Sequence, residues 1–540
     1  VHIDLAKLGH VSSAGHEAFS DPGLLLGTRT HLIKKITDWK NKLHLAATNK
    51  ILVLSGAAGT GKTTISREVC SILQAENKLG ASFFFRSGTE DRGSTAKVVL
   101  TIAFQLANSQ YGYRPHIANA AREYSKSPSG KLEEQLQKLI IRPVKRAQTQ
   151  NPCLAEIPVV IVLDALDEAG EDLSSFLKQL KVLIDAECNF CIFVTTRPES
   201  SVEYAFSKSG IDAFKTRGKM EDAPRGEVDE DIERLLRQRF DDLRWREDLL
   251  AAHPDLIKVL VKKAERLFIY IRTVVDYLDH RIKEVSLQRL KIILSGSGDK
   301  VGLPALDKLY ATILNNVYDQ EALGVDEIRT RVRAFLAGLV LLRKEMTVEL
   351  LAPLMDLRED EVIATVDELR SILSCTGQDP RKAIIRPLHL TFKEYLLSGK
   401  QHTDSAFYVD RRSGHLTLAK ACLRTMNAEL RRNICELNDP CAFRREIEDL
   451  RALTGKHVRK HVRYACEHWS IHLVESEPTD DPSLLQSLEE FCKNQLLHWI
   501  EVQCLLGSLE HVQSSLERAC FWAKVRITLH RRIGFFMLIV

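Results

Sequence analysis

Residues 56–63 read Gly-Ala-Ala-Gly-Thr-Gly-Lys-Thr and follow directly on the apolar run Ile51-Leu52-Val53-Leu54. This octet constrains the fold more than any other part of the chain. An apolar run ending in such a loop is a buried strand handing the chain to a helix. The glycines let the loop turn tightly enough to aim backbone N–H groups at phosphate oxygens. Lys62 supplies a point charge for the outer phosphates, and the Thr63 hydroxyl a ligand for Mg²⁺. The helix opening near Lys62 turns its positive end to the same anion. Its apolar stripe, Ile65, Val69, Ile72 and Leu73, recurs at helical spacing. Gly56, Gly59, Thr60, Gly61, Lys62, Thr63 and Thr64 are therefore the predicted phosphate-binding residues.

A second apolar run, Val159-Val160-Ile161-Val162-Leu163, ends in Asp164. An unbroken run of this kind reads as a strand of a parallel sheet buried on both faces. Asp164 at its tip is predicted to hold the Mg²⁺ shell together with Thr63. Asp167 and Glu168 lie just past the strand, where open α/β sheets bind their ligands, and one of them is placed to polarise an attacking water. A third run, Cys191 to Thr196, ends in Arg197-Pro198. Pro198 stops the strand for want of an N–H, and an arginine beside the acid-tipped strand suits a sensor of the terminal phosphate. The predicted catalytic set is Asp167, Glu168 and Arg197, with ATP or ADP and Mg²⁺ as the cofactors. A chance match in a glycine-rich turn accounts for the first motif alone, but not for all the parts that one site needs.

Together these segments resemble the NACHT family of the STAND class of regulatory P-loop NTPases, most closely its fungal members. The resemblance is carried by LSGAAGTGKTT (55–64), FFFRSGTEDRGSTAKVVLTIAFQLA (83–107), VIVLDALDEAG (160–170) and FVTTRPE (193–199). Upstream, GTRTHLIKKITDW (27–39) is similar to the family's lead-in helix. Downstream, LDKLYATIL (306–314), AIIRPLHLTFKEYLL (383–397) and YACEHWSIHL (464–473) are similar to its helical and winged-helix regions. The resemblance implies an ADP/ATP-dependent signalling switch, closed with ADP and assembling into oligomers with ATP, with slow hydrolysis as a reset. It also implies a cytoplasmic protein acting in fungal innate immunity or heterokaryon incompatibility, through a protein ligand or effector that the sequence does not name. His389, in Arg386-Pro387-Leu388-His389-Leu390-Thr391-Phe392, matches the histidine that the family sets against the β-phosphate of ADP. One position departs from the pattern. In Lys263-Ala264-Glu265-Arg266-Leu267-Phe268-Ile269, Arg266 stands where the family carries glycine. An arginine there either stacks on adenine or crowds the site, and the sequence leaves both open.

The expected fold is an α/β P-loop NTPase domain, a parallel sheet wound with helices, followed by a helical domain, a winged-helix domain and an all-α C-terminal region. The expected boundaries are 1–50 for an N-terminal arm and lead-in helix (Leu32, Ile33, Ile36, Trp39), 51–220 for the NTPase domain, 221–325 for the helical domain, 326–400 for the winged helix and 401–540 for the C-terminal helices. Amphipathic helices are expected at 255–279 and 305–317. Several domains are required, because a single core stops growing near ~250–300 residues. The winged helix rests on the stripe Leu350-Leu351-Leu354, a second helix through Val362, Val366 and Leu369, and the polar turn Thr376–Lys382 between short apolar segments.

Winged helices often read DNA with their second helix. Here the stretch around 356–370 carries Asp356, Glu359, Asp360, Glu361, Asp367 and Glu368, which repel phosphates. The net charge is only +4, from 76 basic and 72 acidic residues, so the chain as a whole exerts no strong pull on polyanions. No nucleic-acid partner is expected. No apolar run approaches the ~18–20 residues that span a bilayer. The 12 cysteines are scattered without a framework, as in a reduced compartment. Cys188 and Cys191 form a C-x-x-C with no second pair to complete a zinc site. His457, His461, His468 and His472 fall within about 60° of arc on one helix at ~100° per residue. They sit amid apolar neighbours and read as core or interface histidines. The apolar end Phe535 to Val540 is expected to dock on the helical region or to mark a chain that continues. Two rival readings stand beside the switch: a nucleotide-free helical scaffold with Arg266 blocking the pocket, and a small-molecule kinase, for which no acceptor or lid residues are evident.

Overall fold

Five parallel strands organise the first half of the computed structural model: β1 (Ile51–Ser55), β2 (Leu79–Phe84), β3 (Val159–Asp164), β4 (Phe190–Thr196) and β5 (Lys215–Lys219). They lie in the order β2-β3-β4-β1-β5. The structure describes residues 5, 8–19, 23–42, 49–87, 91–110, 112–170, 173–295, 304–318, 325–398, 407–440 and 442–530. The chain divides into two compact units, Val1–Leu290 and Lys291–Val540.

Strands β2, β3 and β4 are buried along their whole length, as is β1 up to Leu54, which is why β1, β3 and β4 read as apolar runs. Strand β4 pairs with β3 on one side and β1 on the other. Its tip, Thr195-Thr196, therefore lies between the phosphate loop and Asp164. The fifth strand, Lys-Thr-Arg-Gly-Lys, carries no apolar signal and was not expected. It pairs with β1 from Ile51↔Lys215 to Ser55↔Lys219 as an edge strand. Charged side chains are compatible with an edge and discourage further pairing. Arg217 is satisfied by Glu203 at 2.6 Å.

The N-terminal arm is more than a lead-in. Leu5, Leu8, Val11 and Ala14 are buried in the core that the sheet shares with the helix Val98–Ser109. The Val11 N–H donates to Thr101 Oγ1 (3.0 Å), the His16 N–H to Ser82 Oγ of β2 (3.0 Å), and the His10 ring stacks on Phe104 at 3.5 Å. The helix expected at 255–279 is two helices, Leu256–Lys263 and Phe268–Leu278. Between them Glu265 (φ +47°) and Arg266 (φ +64°) both take the left-handed conformation, which no helix continues through.

The second unit opens with helices Ala305–Tyr318 and Val325–Leu341, then Val348–Met355 and the acidic Glu359–Glu368. An antiparallel hairpin follows, β6 (Leu373–Thr376) on β7 (Ile384–Pro387), and then the helix Leu390–Leu397. The predicted stripes are inside: Leu350, Leu351, Leu354, Val362, Val366 and Leu369 are all buried. Among the described residues, six α-helices from Arg411 to His530 complete it.

The single histidine-bearing helix is corrected to two, Leu450–His457 and Lys460–Glu475. His457 falls on the first. His461, His468 and His472 fall on the second and are buried. His472 Nε2 lies 2.7 Å from Tyr464 Oη, its Nδ1 lies 2.8 Å from His415 Nδ1, and His461 Nε2 lies 2.7 Å from Glu429 Oε1. The apolar end 531–540 lies outside the described residues. Among the described residues no helix is long and apolar enough to cross a membrane.

Candidate nucleotide-binding site

The phosphate loop runs from the end of β1 into the helix Lys62–Ala75. Its glycines are required for two different reasons. Gly59 (φ +79°) and Gly61 (φ +94°) take a left-handed backbone that side chains disfavour. Gly56 and Gly59 also allow close approach: a Cβ at 56 would lie 2.4 Å from Met220 Cγ, and one at 59 would lie 2.6 Å from Ile269 Cγ2. The loop is tied down by the Gly56 N–H donating to Thr196 O (3.2 Å) and by Thr60 Oγ1 donating to Ala57 O (2.8 Å). Lys62 Nζ donates to Gly56 O (2.7 Å) and Ala57 O (2.9 Å). Burial lowers the pKa of this lysine, against the attraction of Asp167. Thr64 sits half-buried in the first turn.

Asp164 is 2% exposed. Thr63 Oγ1 donates to its Oδ2 (2.8 Å), while Ser66 Oγ (2.6 Å) and Thr195 Oγ1 (2.5 Å) donate to its Oδ1. Burial pushes the Asp164 pKa up; the three hydroxyls and Lys62 push it back down. Thr195 in turn accepts from the Ala165 N–H at 3.0 Å. A carboxylate and a hydroxyl held 2.8 Å apart at the end of a phosphate loop are hard oxygen donors, the chemistry that fits Mg²⁺ shared with a phosphate.

The two acids beyond β3 differ in what they hold. Asp167 accepts from the Arg197 backbone N–H (3.0 Å) and pairs with Arg197 Nε (3.1 Å). Glu168 accepts from the Ser87 N–H (2.7 Å), and burial pushes its pKa up to about 7, with Asp167 and Asp164 adding to the rise. A carboxylate titrating near neutrality is suited to exchanging protons with a water. Asp167 is positioned to hold Arg197.

Arg29 was not singled out from the sequence, yet it is built into this region. It is 3% exposed. Its N–H donates to Asp231 (2.8 Å), its guanidinium donates to Thr60 O (2.6 Å), and it lies over the Phe268 ring at 4.5 Å. The Arg266 side chain is 45% exposed, with Nε 3.8 Å from Asp229. The position's demand is on the backbone, a left-handed φ that glycine meets without strain. His389 lies in the second unit as the N-cap of the helix Leu390–Leu397, its Nδ1 accepting from the Thr391 N–H at 3.2 Å. Ser66 and Ser87 were also missed. Ser66 had a signal, since it falls one turn after Thr63 on the same helix face. Ser87 had none, because only the fold brings it to Glu168.

The family model described as Nephrocystin 3, N-terminal, matches residues 27–197, which takes in Arg29, the phosphate loop, Asp164, Glu168 and Arg197. Comparison with curated proteins gives no match. Similar solved structures include Cdc6p from Pyrobaculum aerophilum, at 13% identity over 70% of this chain and 94% of that one, TM-score 0.27. The Orc1 protein of Aeropyrum pernix in complex with DNA matches at 13% identity over 74% and 93%, TM-score 0.30. Drosophila ORC bound to DNA matches at 12% over 73% and 90%, TM-score 0.30. The last two are DNA complexes, and the expectation that nucleic acid is excluded as a partner is withdrawn on that finding. The acidic stretch behind it acts over a Debye length of about 8–10 Å. It speaks for its own surface and not for the chain.

Proposed function

We propose that this P-loop NTPase is a nucleotide-dependent switch that takes ADP in a closed state and ATP with Mg²⁺ in an open one. The observation that carries the reading is Asp164, buried and held by Thr63, Ser66 and Thr195 next to a loop whose glycines each meet a steric or backbone demand. Gly56, Gly59, Thr60, Gly61, Lys62, Thr63 and Thr64 would cradle the phosphates, and Thr63 and Asp164 would hold Mg²⁺. Glu168 would polarise water in a slow hydrolysis, and Arg197, held by Asp167, would sense the terminal phosphate. The helix–helix–hairpin of 348–387 is read as the core of a winged helix, and His389 as its ligand to the diphosphate, on the resemblance to NACHT proteins. That resemblance also supports the five-part division of the chain, assembly on activation, a cytoplasmic setting and a role in fungal self/non-self recognition.

Identification of the nucleotide that co-purifies with the protein, with a fluorescent ADP titration of wild type and Lys62→Ala, tests the reading. Lys62→Ala removes a charge-assisted phosphate contact of about 1.5–3 kcal/mol, a loss of roughly 10- to 150-fold in affinity. Equal affinity in both proteins would sink the assignment.

A further inference from the structure

The two oxygens of Asp164 are not equivalent. Oδ1 takes two hydroxyl donors, Ser66 Oγ at 2.6 Å and Thr195 Oγ1 at 2.5 Å, while Oδ2 takes Thr63 Oγ1 at 2.8 Å. An ionised carboxylate only accepts, so each hydroxyl gives it its one proton. The lone pairs of Thr63 Oγ1 are thereby left for a cation, beside Oδ2. Ser66 and Thr195 come from different elements, the helix Lys62–Ala75 and strand β4, and both are fully buried. Held from two elements at once, Oδ1 is closed and the carboxylate is kept from turning. Thr195 has a second task, since it accepts from the Ala165 N–H at 3.0 Å on the turn that leads to Asp167 and Glu168. Ser66 is therefore the cleaner probe of the clamp. All of these groups lie in the first unit.

We propose that Ser66 and Thr195 are positioning residues that close Oδ1 of Asp164, leave Oδ2 alone for the divalent cation, and so make the site prefer Mg²⁺ to Ca²⁺. This rests on the reading of Thr63 and Asp164 given under Proposed function. A carboxylate that offers one fixed oxygen suits Mg²⁺, which demands near-octahedral geometry at short distances and takes few protein ligands. Ca²⁺ takes about 6–8 oxygens in a flexible shell and draws readily on both oxygens of one carboxylate. Without Ser66 the carboxylate is free to turn or to offer both oxygens, which Ca²⁺ tolerates and Mg²⁺ does not. Removing a group that holds a metal ligand in place costs roughly 10- to 100-fold in metal affinity.

The test uses the full chain and a fluorescent, non-hydrolysable ATP analogue, titrated in EDTA, in Mg²⁺ and in Ca²⁺. The readout is the gain in affinity that each metal gives over EDTA. Wild type should gain more from Mg²⁺ than from Ca²⁺. Ser66→Ala should bind as wild type does in EDTA, which shows the fold and the phosphate loop intact. It should lose the Mg²⁺ gain by the factor just given and keep most of the Ca²⁺ gain. Thr195→Val should do the same, and Thr195→Ser should restore the wild-type pattern. Weaker binding in EDTA with the metal gains unchanged marks a merely structural role and overturns the inference. An unchanged Mg²⁺ gain in both variants, or equal losses for the two metals, overturns it while leaving Thr63 and Asp164 their role. A wild type that gains nothing from Mg²⁺ overturns that role, and the inference with it.

Discussion

At the scale of single residues, environment separates groups that the sequence leaves equivalent. Asp167 and Glu168 are adjacent acids past a strand end, but one is tied to Arg197 and the other titrates near pH 7 because it is buried. For Glu168 the folded pKa lies above its ordinary 4.5. The unfolded chain therefore releases this proton first, and stability is lost as pH rises from about 4.5 to about 7. Glu168→Gln should accordingly raise the melting temperature at pH 8 and leave it nearly unchanged at pH 4, while abolishing any hydrolysis. Equal shifts at both pH values would show that burial does not govern this carboxyl. Arg266 makes a second case. A left-handed arginine costs about 1–2 kcal/mol. Arg266→Gly should recover roughly 1 kcal/mol after the entropy of glycine is subtracted, read as a rise in the denaturation midpoint. A fall would mean that the side chain contributes more than its exposed pair with Asp229.

Among elements, the helices Arg411–Glu429 and Lys460–Glu475 are joined by a buried polar chain. The Tyr464 hydroxyl accepts from the Arg343 N–H (3.1 Å) and lies 2.7 Å from His472 Nε2, whose Nδ1 lies 2.8 Å from His415 Nδ1. Burial lowers the pKa of both histidines, that of His415 to about 4. They are held neutral in the fold but take protons from pH 6.5 downward once unfolded. Stability should therefore fall as pH drops from about 6.5 to about 4. Tyr464→Phe should weaken the chain by about 1–3 kcal/mol by leaving a buried ring nitrogen without its hydroxyl partner. Circular dichroism melts between pH 7 and 4 would read both, and a flat profile would remove the histidines as the cause. The N-terminal arm is the other lesson at this scale. It reads as a lead-in, but Leu5, Leu8 and Val11 are core residues of the first unit.

For the whole molecule, two compact units predict two unfolding transitions. ADP at a hundred times its dissociation constant should stabilise the unit it binds by about 2.7 kcal/mol. In calorimetry the transition of Val1–Leu290 should move up with ADP and stay in place in Lys62→Ala. A shift of that transition with ADP that persists in Lys62→Ala would remove the phosphate loop as the site.

The sequence by itself determined the parts governed by local periodicity and by turn chemistry. Strands β1, β3 and β4 are legible because burial on both faces demands unbroken apolar runs, and the phosphate loop because only glycine meets its backbone and its close contacts. The same logic exposed Asp164, since an acid at the tip of such a run has few other uses. Tertiary structure decided what depends on partners far along the chain. Strand β5 is polar, and pairing to β1 alone makes it a strand. Ser87 reaches Glu168 across 81 residues, Arg29 reaches Asp231 across 202, and the Arg266 backbone is set by a helix break rather than by its side chain. The break between His457 and His461 was hidden for the same reason. An apolar stripe continues across it in sequence, and only packing against neighbouring helices fixes where each helix stops.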